Sequence, residues 1–98
     1  MALLSETQIE QHLHGGDWRR EQQTIVRELK LDDFAAAIAF VDRVAAAAEA
    51  ANHHPDILVH GWNNVRLTLS THSAGGLTDA DFALASELDA LAKGASGA

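Results

Sequence analysis

A chain of 98 residues is long enough for one small domain and too short for two. Its formal net charge of −7 repels phosphate backbones and no Lys/Arg cluster offsets it, so direct nucleic-acid binding is not expected. Cysteine is absent, which excludes disulfides and thiolate chemistry and fits a cytoplasmic protein.

Apolar residues make up 47% of the chain, enough for it to fold. Only 5% are aromatic and Ala is abundant, so the core is light and burial of further surface by self-association is favoured. No apolar run reaches about 18 residues, so no membrane span is expected. Met1 to Leu4 lacks a basic start and a long apolar stretch, so no signal peptide is expected either.

Ser5, followed three residues on by Gln8, predicts a capped helix to about His12, ended by Gly15-Gly16. Ile25, Arg27 and Leu29 alternate with Val26, Glu28 and Lys30. This predicts a hairpin with strands near 18–21 and 24–30 and a turn at Glu21-Gln22-Gln23. Asp32 or Asp33 then caps a long, Ala-rich helix. Its expected core stripe is Phe34, Ile38, Val41 and Ala45, widened by Ala37, Val44 and Ala48. Pro55 forces that helix to stop around Asn52-His53.

Asp56 to His60 reads as a strand, Gly61 as a turn, and Trp62 to Thr71 as a second strand of period two. Gly75-Gly76 breaks it. Thr78 with Asp81 resembles a capping box with Asp in place of Glu. A helix follows to about Lys93, with Phe82, Ala85, Leu88 and Leu91 or Ala92 inward, and Gly94 to Ala98 as a frayed tail. The expectation for residues 1–98 is a single α+β domain in the order α-β-β-α-β-β-α. Its four-stranded antiparallel sheet carries the helices on one face.

Six histidines are many for this length. His12 and His14, at a helix end, and His60, beside a turn, read as solvated residues. His53 and His54 lie where a helix stops before a proline, and His72 lies where a strand ends before two glycines. Such ends present side chains to clefts, although pattern alone fits capped or solvated loop residues as well. A metal site is disfavoured: neighbouring His side chains diverge, and neither H-E-x-x-H nor Cys is present. A Ser/His/Asp triad on Ser70 or Ser73 lacks the G-x-S-x-G elbow.

Glu49-Ala50-Ala51-Asn52-His53-His54-Pro55, then Trp62-Asn63-Asn64-Val65, Leu69-Ser70-Thr71-His72 and Gly76-Leu77-Thr78 with Asp81, resemble the signature of the pterin-4a-carbinolamine dehydratases. Gly16-Asp17-Trp18, Asp33-Phe34, Phe40 and Arg43-Val44-Ala45 extend the likeness from about Leu4 to Ala92. There are departures: the Pro55–Val65 segment is one residue longer than in animal members, Trp62 stands where Tyr is common, and Asn52 stands where Asp is frequent.

The resemblance implies dehydration of 4a-hydroxytetrahydropterins to quinonoid dihydropterins, in recycling of the pterin used by aromatic amino acid hydroxylases. No cofactor or metal is implied. His53 and His72 are then the proton-transfer pair, and His54 binds the pterin and can share the base role. Glu49, one helical turn before His53, is placed to orient that ring, and Asp81 to orient His72 or His54. Asn52, Ser70, Thr71 and Ser73 contribute polar contacts to the pterin ring, alongside the histidines. The resemblance further implies a homodimer or homotetramer. The alternative it leaves is a non-catalytic binding or assembly factor, of the transcription-factor or Rubisco-assembly kind.

Overall fold

The computed structural model describes residues 2–95. Along the chain they form α1 (Glu6–Leu13), β1 (Arg19–Glu21), β2 (Thr24–Lys30), α2 (Phe34–Ala51), β3 (Asp56–His60), β4 (Asn64–Leu69), a 3-10 turn (His72–Ala74) and α3 (Asp79–Ala95). The element order is the expected α-β-β-α-β-β-α, an α+β domain.

Local chemistry sets the helix starts. Ser5 Oγ accepts from Gln8 N at 3.2 Å and Gln8 Oε1 accepts from Ser5 N at 2.8 Å, a complete capping box. Of the two candidate caps for α2, Asp33 is the one used, accepting from Ala36 N at 2.7 Å. The α3 helix runs to Ala95, two residues beyond the expected end at Lys93. Of the expected frayed tail, residues 94 and 95 are therefore helical and 96–98 lie outside the described residues.

The strands form one antiparallel sheet in the order β1-β2-β4-β3. Ile25 lies opposite Leu69 and Leu29 opposite Val65, while Ile57 pairs with Leu67 and Val59 with Val65. Period two puts these side chains on one face, where they join Ile9 of α1, Phe40 and Val44 of α2 and Leu84 and Leu88 of α3 in one core. The helices thus cover a single face of the sheet. Phe40 is fully buried at its centre, and removing such a ring costs about 3–5 kcal/mol.

The other sheet face holds an ion network around Glu28. Arg19 Nη2 reaches it at 3.1 Å, Arg66 Nη2 at 3.4 Å and His60 Nε2 at 3.7 Å. Between β3 and β4, Gly61 and Trp62 both adopt positive φ, 55° and 59°. Glycine does so freely, whereas the left-handed region is uncommon for a residue such as Trp62. Buried Asn63 donates from Nδ2 to Leu31 O at 2.9 Å, and Leu31 N donates back to Asn63 O at 2.8 Å.

The core face of α2 departs from the expected stripe. Ala37, Phe40, Val44 and Ala48 are buried, whereas Phe34 and Ile38 are exposed (55% and 39%), with Ala45 exposed and Val41 half-buried. This helix is apolar on nearly every side, so periodicity could not select the face that packs. Among the described residues, no helix is long and apolar enough to cross a membrane.

Candidate active site

The end of α2 is built to turn the chain. Asn52 adopts the left-handed conformation, φ 49° and ψ 42°, and its N–H points back to Ala48 O and Glu49 O. His53 N donates to Ala48 O at 3.1 Å, so the last carbonyls of the helix are satisfied as in a Schellman motif. Asparagine tolerates this backbone better than most residues, and Pro55 two residues after His53 prevents any return to helix. The turn sends His53 inward towards α3 and leaves His54 on the surface of α2.

His53 Nε2 lies 2.6 Å from Asp81 Oδ1. Asp81 is fully buried at the start of α3, and its second oxygen accepts from Thr71 Oγ1 at 2.8 Å and from Thr78 N at 2.9 Å. Thr71 and Thr78, both buried, share a further hydroxyl–hydroxyl contact of 2.8 Å. Thr78 and Asp81 thus cap α3: Thr78 N donates to the Asp81 carboxylate, as one half of the expected capping box, and Thr78 Oγ1 accepts from Ala80 N at 3.3 Å. The same carboxylate that caps α3 holds a histidine. A buried carboxylate is costly unless paired and hydrogen-bonded, and Asp81 has both kinds of partner.

The pairing of carboxylates with histidines differs from the expectation. Asp81 meets His53, not His72 or His54, and Glu49 meets His54, not His53. Helical spacing placed Glu49 under His53, but the left-handed residue at Asn52 ends the helical register before either histidine. The His54 Nε2–Glu49 Oε2 contact is 2.5 Å, and both side chains are largely solvated, 58% and 76% exposed. His53, at 15%, is the sheltered member of the adjacent pair.

His72 stands exposed at the start of the 3-10 turn, directly after Thr71. The Thr71–Asp81 bond thereby ties the segment carrying His72 to the partner of His53. That segment is closed by a bridge between Thr71 and Gly76. It is also anchored from below, since Ser70 Oγ donates to Gln23 O at 2.9 Å in the β1–β2 turn. The hydroxyls of Ser70 and Thr71 are thus engaged by the protein, while Asn52 and Ser73 are exposed near the histidines in sequence. Thr78 is the residue whose part in the site the sequence did not disclose: its spacing to Asp81 signalled a cap and nothing more.

The remaining histidines lie elsewhere. His12 stacks on Phe82 with ring centroids 4.5 Å apart, and His60 joins the network around Glu28. Trp18 is buried and its Nε1 donates to Asp89 Oδ1 at 2.8 Å, while Trp62 is exposed. Arg27 is bonded to the same Asp89 oxygen. An open groove of about 680 Å³ runs past Arg27, Lys30, Asp89 and Lys93 and holds none of the histidines. Among the described residues, no group of three or more His, Cys, Asp or Glu is arranged to hold a metal ion.

An α+β domain with two imidazoles each backed by a carboxylate has the equipment of a general acid–base protein. Residues 2–91 match the family model described as pterin 4 alpha carbinolamine dehydratase, and the chain belongs to that family. Relatives provisionally named pterin-4-alpha-carbinolamine dehydratases agree over nearly their whole length. A Chloroflexus aurantiacus protein is 54% identical over 92 residues (93% of this chain, 98% of the relative), and one from Nocardia farcinica is 53% identical (93% and 96%). A solved structure from Brucella melitensis, described as a transcriptional coactivator/pterin dehydratase, superposes with a TM-score of 0.85 at 33% identity, covering 91% of this chain and 97% of that one. A pterin dehydratase-like protein described as a RuBisCO assembly factor of the alpha-carboxysome superposes with a TM-score of 0.63 at 29% identity, covering 83% and 93%.

Proposed function

We propose that this chain is a hydro-lyase that dehydrates 4a-hydroxytetrahydropterins to quinonoid dihydropterins. The observation that carries the reading is the buried Asp81–His53 pair joined through Thr71 to the segment bearing His72, within a chain of this family.

The chemistry asks for little else. The substrate has a hydroxyl on a ring carbon next to a ring N–H. A proton delivered to the hydroxyl lets the C–O bond break and water leave. Removal of the N–H proton lets its electron pair form the C=N bond. Nothing is oxidised or reduced overall, so neither redox cofactor nor nucleophile is required. Each well-placed acid or base is worth roughly 10²–10⁴ in rate. His53 and His72 are assigned to proton transfer. His54, steadied by Glu49 at the exposed edge, is assigned to binding the pterin, with Asn52, Ser70, Thr71 and Ser73 supplying polar contacts, in part through the backbone.

Within this reading the enzyme recycles, in the cytoplasm, the pterin cofactor of aromatic amino acid hydroxylases. It works as a homodimer or homotetramer. The exposed Phe34 and Ile38 on α2 and the open edges β1 and β3 support self-association. A monomer by light scattering at micromolar concentration would contradict that part.

The alternative, a non-catalytic assembly factor, draws on the 29%-identical relative described in that role. The complete set of His53, His54, His72, Glu49 and Asp81 favours catalysis. Adding purified protein to chemically generated 4a-hydroxytetrahydropterin distinguishes the two: the enzyme accelerates loss of water, and an assembly factor leaves it at the buffer rate.

A further inference from the structure

We propose that Asn52 is a positioning residue that acts through its left-handed backbone, and that this conformation is what gives the two adjacent histidines separate carboxylates and separate tasks. Its φ of 49° and ψ of 42° end α2 just before His53. The N–H of Asn52 points back to Ala48 O and Glu49 O, and His53 N donates to Ala48 O at 3.1 Å. Beyond that point the sheltered His53 meets the buried Asp81 at 2.6 Å, and the exposed His54 meets Glu49.

A right-handed residue at position 52 gives a different site. The helix then runs on through His53, four residues after Glu49, and side chains at that spacing share a face. His53 would stand over Glu49 on the solvated side of α2, and Asp81 would lose its histidine. Pro55 does not prevent this. It disfavours helical geometry at His54 and sets no limit on residues 52 and 53. The choice between the two arrangements therefore falls on the backbone of residue 52.

The side chain of Asn52 is exposed, and among the described residues it makes no hydrogen bond. What the fold takes from asparagine is its tolerance of the left-handed region. Glycine enters that region freely, asparagine more readily than most residues with a Cβ, and a β-branched residue is an outlier there. Substitution at this position thus separates backbone from amide. Glycine removes the amide and keeps the conformation, alanine removes the amide and opposes the conformation, and valine opposes it more strongly.

The kinetic part rests on the proposed dehydration; the placing of His53 does not. The test is steady-state dehydration of 4a-hydroxytetrahydropterin, together with ¹H–¹⁵N spectra of histidine-labelled protein, for wild type, Asn52→Gly, Asn52→Ala and Asn52→Val. In wild type and Asn52→Gly, His53 gives a ring N–H signal kept from rapid exchange by the bond to Asp81. Asn52→Gly raises KM through the lost amide contact and keeps kcat within about twofold. Asn52→Ala has the same KM, a weaker ring signal and a kcat lower by about threefold or more, and Asn52→Val a kcat lower by about tenfold or more, the scale of the left-handed penalty. Should Asn52→Val not fold, the difference between Asn52→Gly and Asn52→Ala carries the test. Equal kcat in folded Asn52→Gly and Asn52→Ala overturns the proposal, as does a kcat in Asn52→Gly as low as in Asn52→Ala or a ring signal that is the same in every variant. A wild type without dehydratase activity, in which the ring signal still weakens from Asn52→Gly to Asn52→Ala, leaves the positioning standing and removes the proposed reaction.

Discussion

Asp81→Asn is the most informative single change, because the substitution is nearly isosteric at a site with no solvent. The amide can sit two ways. With its oxygen towards His53, its NH₂ meets the hydroxyl of Thr71 and the N–H of Thr78, both donors. Leaving buried donors unpaired costs about 1–3 kcal/mol each. With the amide flipped, Thr71 and Thr78 keep an acceptor, and the NH₂ faces His53, which must then accept on Nε2 and carry its proton on Nδ1. The flipped form is favoured. It exchanges a charge-assisted bond for a neutral one, a loss of roughly 1–2 kcal/mol. For a domain of this size that lowers Tm by about 4–15 °C. The catalytic loss is larger: with the ring proton moved to Nδ1, His53 no longer presents the same nitrogen for proton transfer, and kcat falls by roughly 10²–10⁴. Urea melts give the first number and stopped-flow dehydration the second. A variant as stable as wild type, with kcat within about threefold, would refute the reasoning from Asp81 to His53, since about 0.65 kcal/mol is then all that the contact contributes.

The two histidines of the adjacent pair separate in kinetics. His53→Ala and His72→Ala lower kcat strongly, whereas His54→Ala chiefly raises KM. If all three lose less than about tenfold, the acid–base model fails. Glu49→Gln changes stability by less than about 0.5 kcal/mol in urea melts, because its pair with His54 is solvated. Asn63→Ala leaves the buried carbonyl of Leu31 without its donor and destabilises by about 1–3 kcal/mol; a melt within about 0.3 kcal/mol of wild type would show that the turn is held otherwise. Glu28 gives the pH dependence. Desolvation pushes its carboxyl up, but the hydrogen bond from Arg19 and the charges of Arg66 and Arg19 more than offset this and hold it below its ordinary value. A depressed folded pKa stabilises the fold above the unfolded value, and that stability is lost as pH falls through the folded one. The Tm difference between wild type and Glu28→Gln at low salt therefore persists at neutral pH and closes on the acid side of the carboxylate range; a difference that widens on acidification contradicts the assignment.

Much of the fold was legible because its boundaries are set by short-range chemistry. Ser5 with Gln8, Thr78 with Asp81, and Pro55 each specify a helix end from neighbours in sequence. Alternation along Ile25–Lys30 and Val65–Leu69 specified which face of the sheet meets the core. The rotation of α2 was not legible, since a helix with apolar residues around most of its circumference carries no preferred stripe. Phe40 rather than Phe34 faces inward because of what α3 and the sheet present to it.

The candidate site divides along the same line. The histidines were singled out by the family resemblance, but the carboxylate that each of His53 and His54 meets differs from the expectation, and the reason is a single residue. Asn52 breaks the 3.6-residue register one position before His53, so arguments from helical spacing stop there. An asparagine between a helix and a His-His-Pro run is the signal that would have given the turn. No local signal joins Asp81 to His53 across 28 residues, or ties the hydroxyl of Thr71 to that carboxylate.

In the proposed reaction, His53 and His72 together dehydrate a 4a-hydroxytetrahydropterin. Its most direct test is the stopped-flow rate of water loss from that compound with wild-type, His53→Ala and His72→Ala proteins. Rapid turnover by wild type that falls by two orders of magnitude or more in each variant, the scale of a lost acid or base of about 10²–10⁴, is the predicted result. A wild-type rate no faster than buffer, or variants as active as wild type, would contradict it.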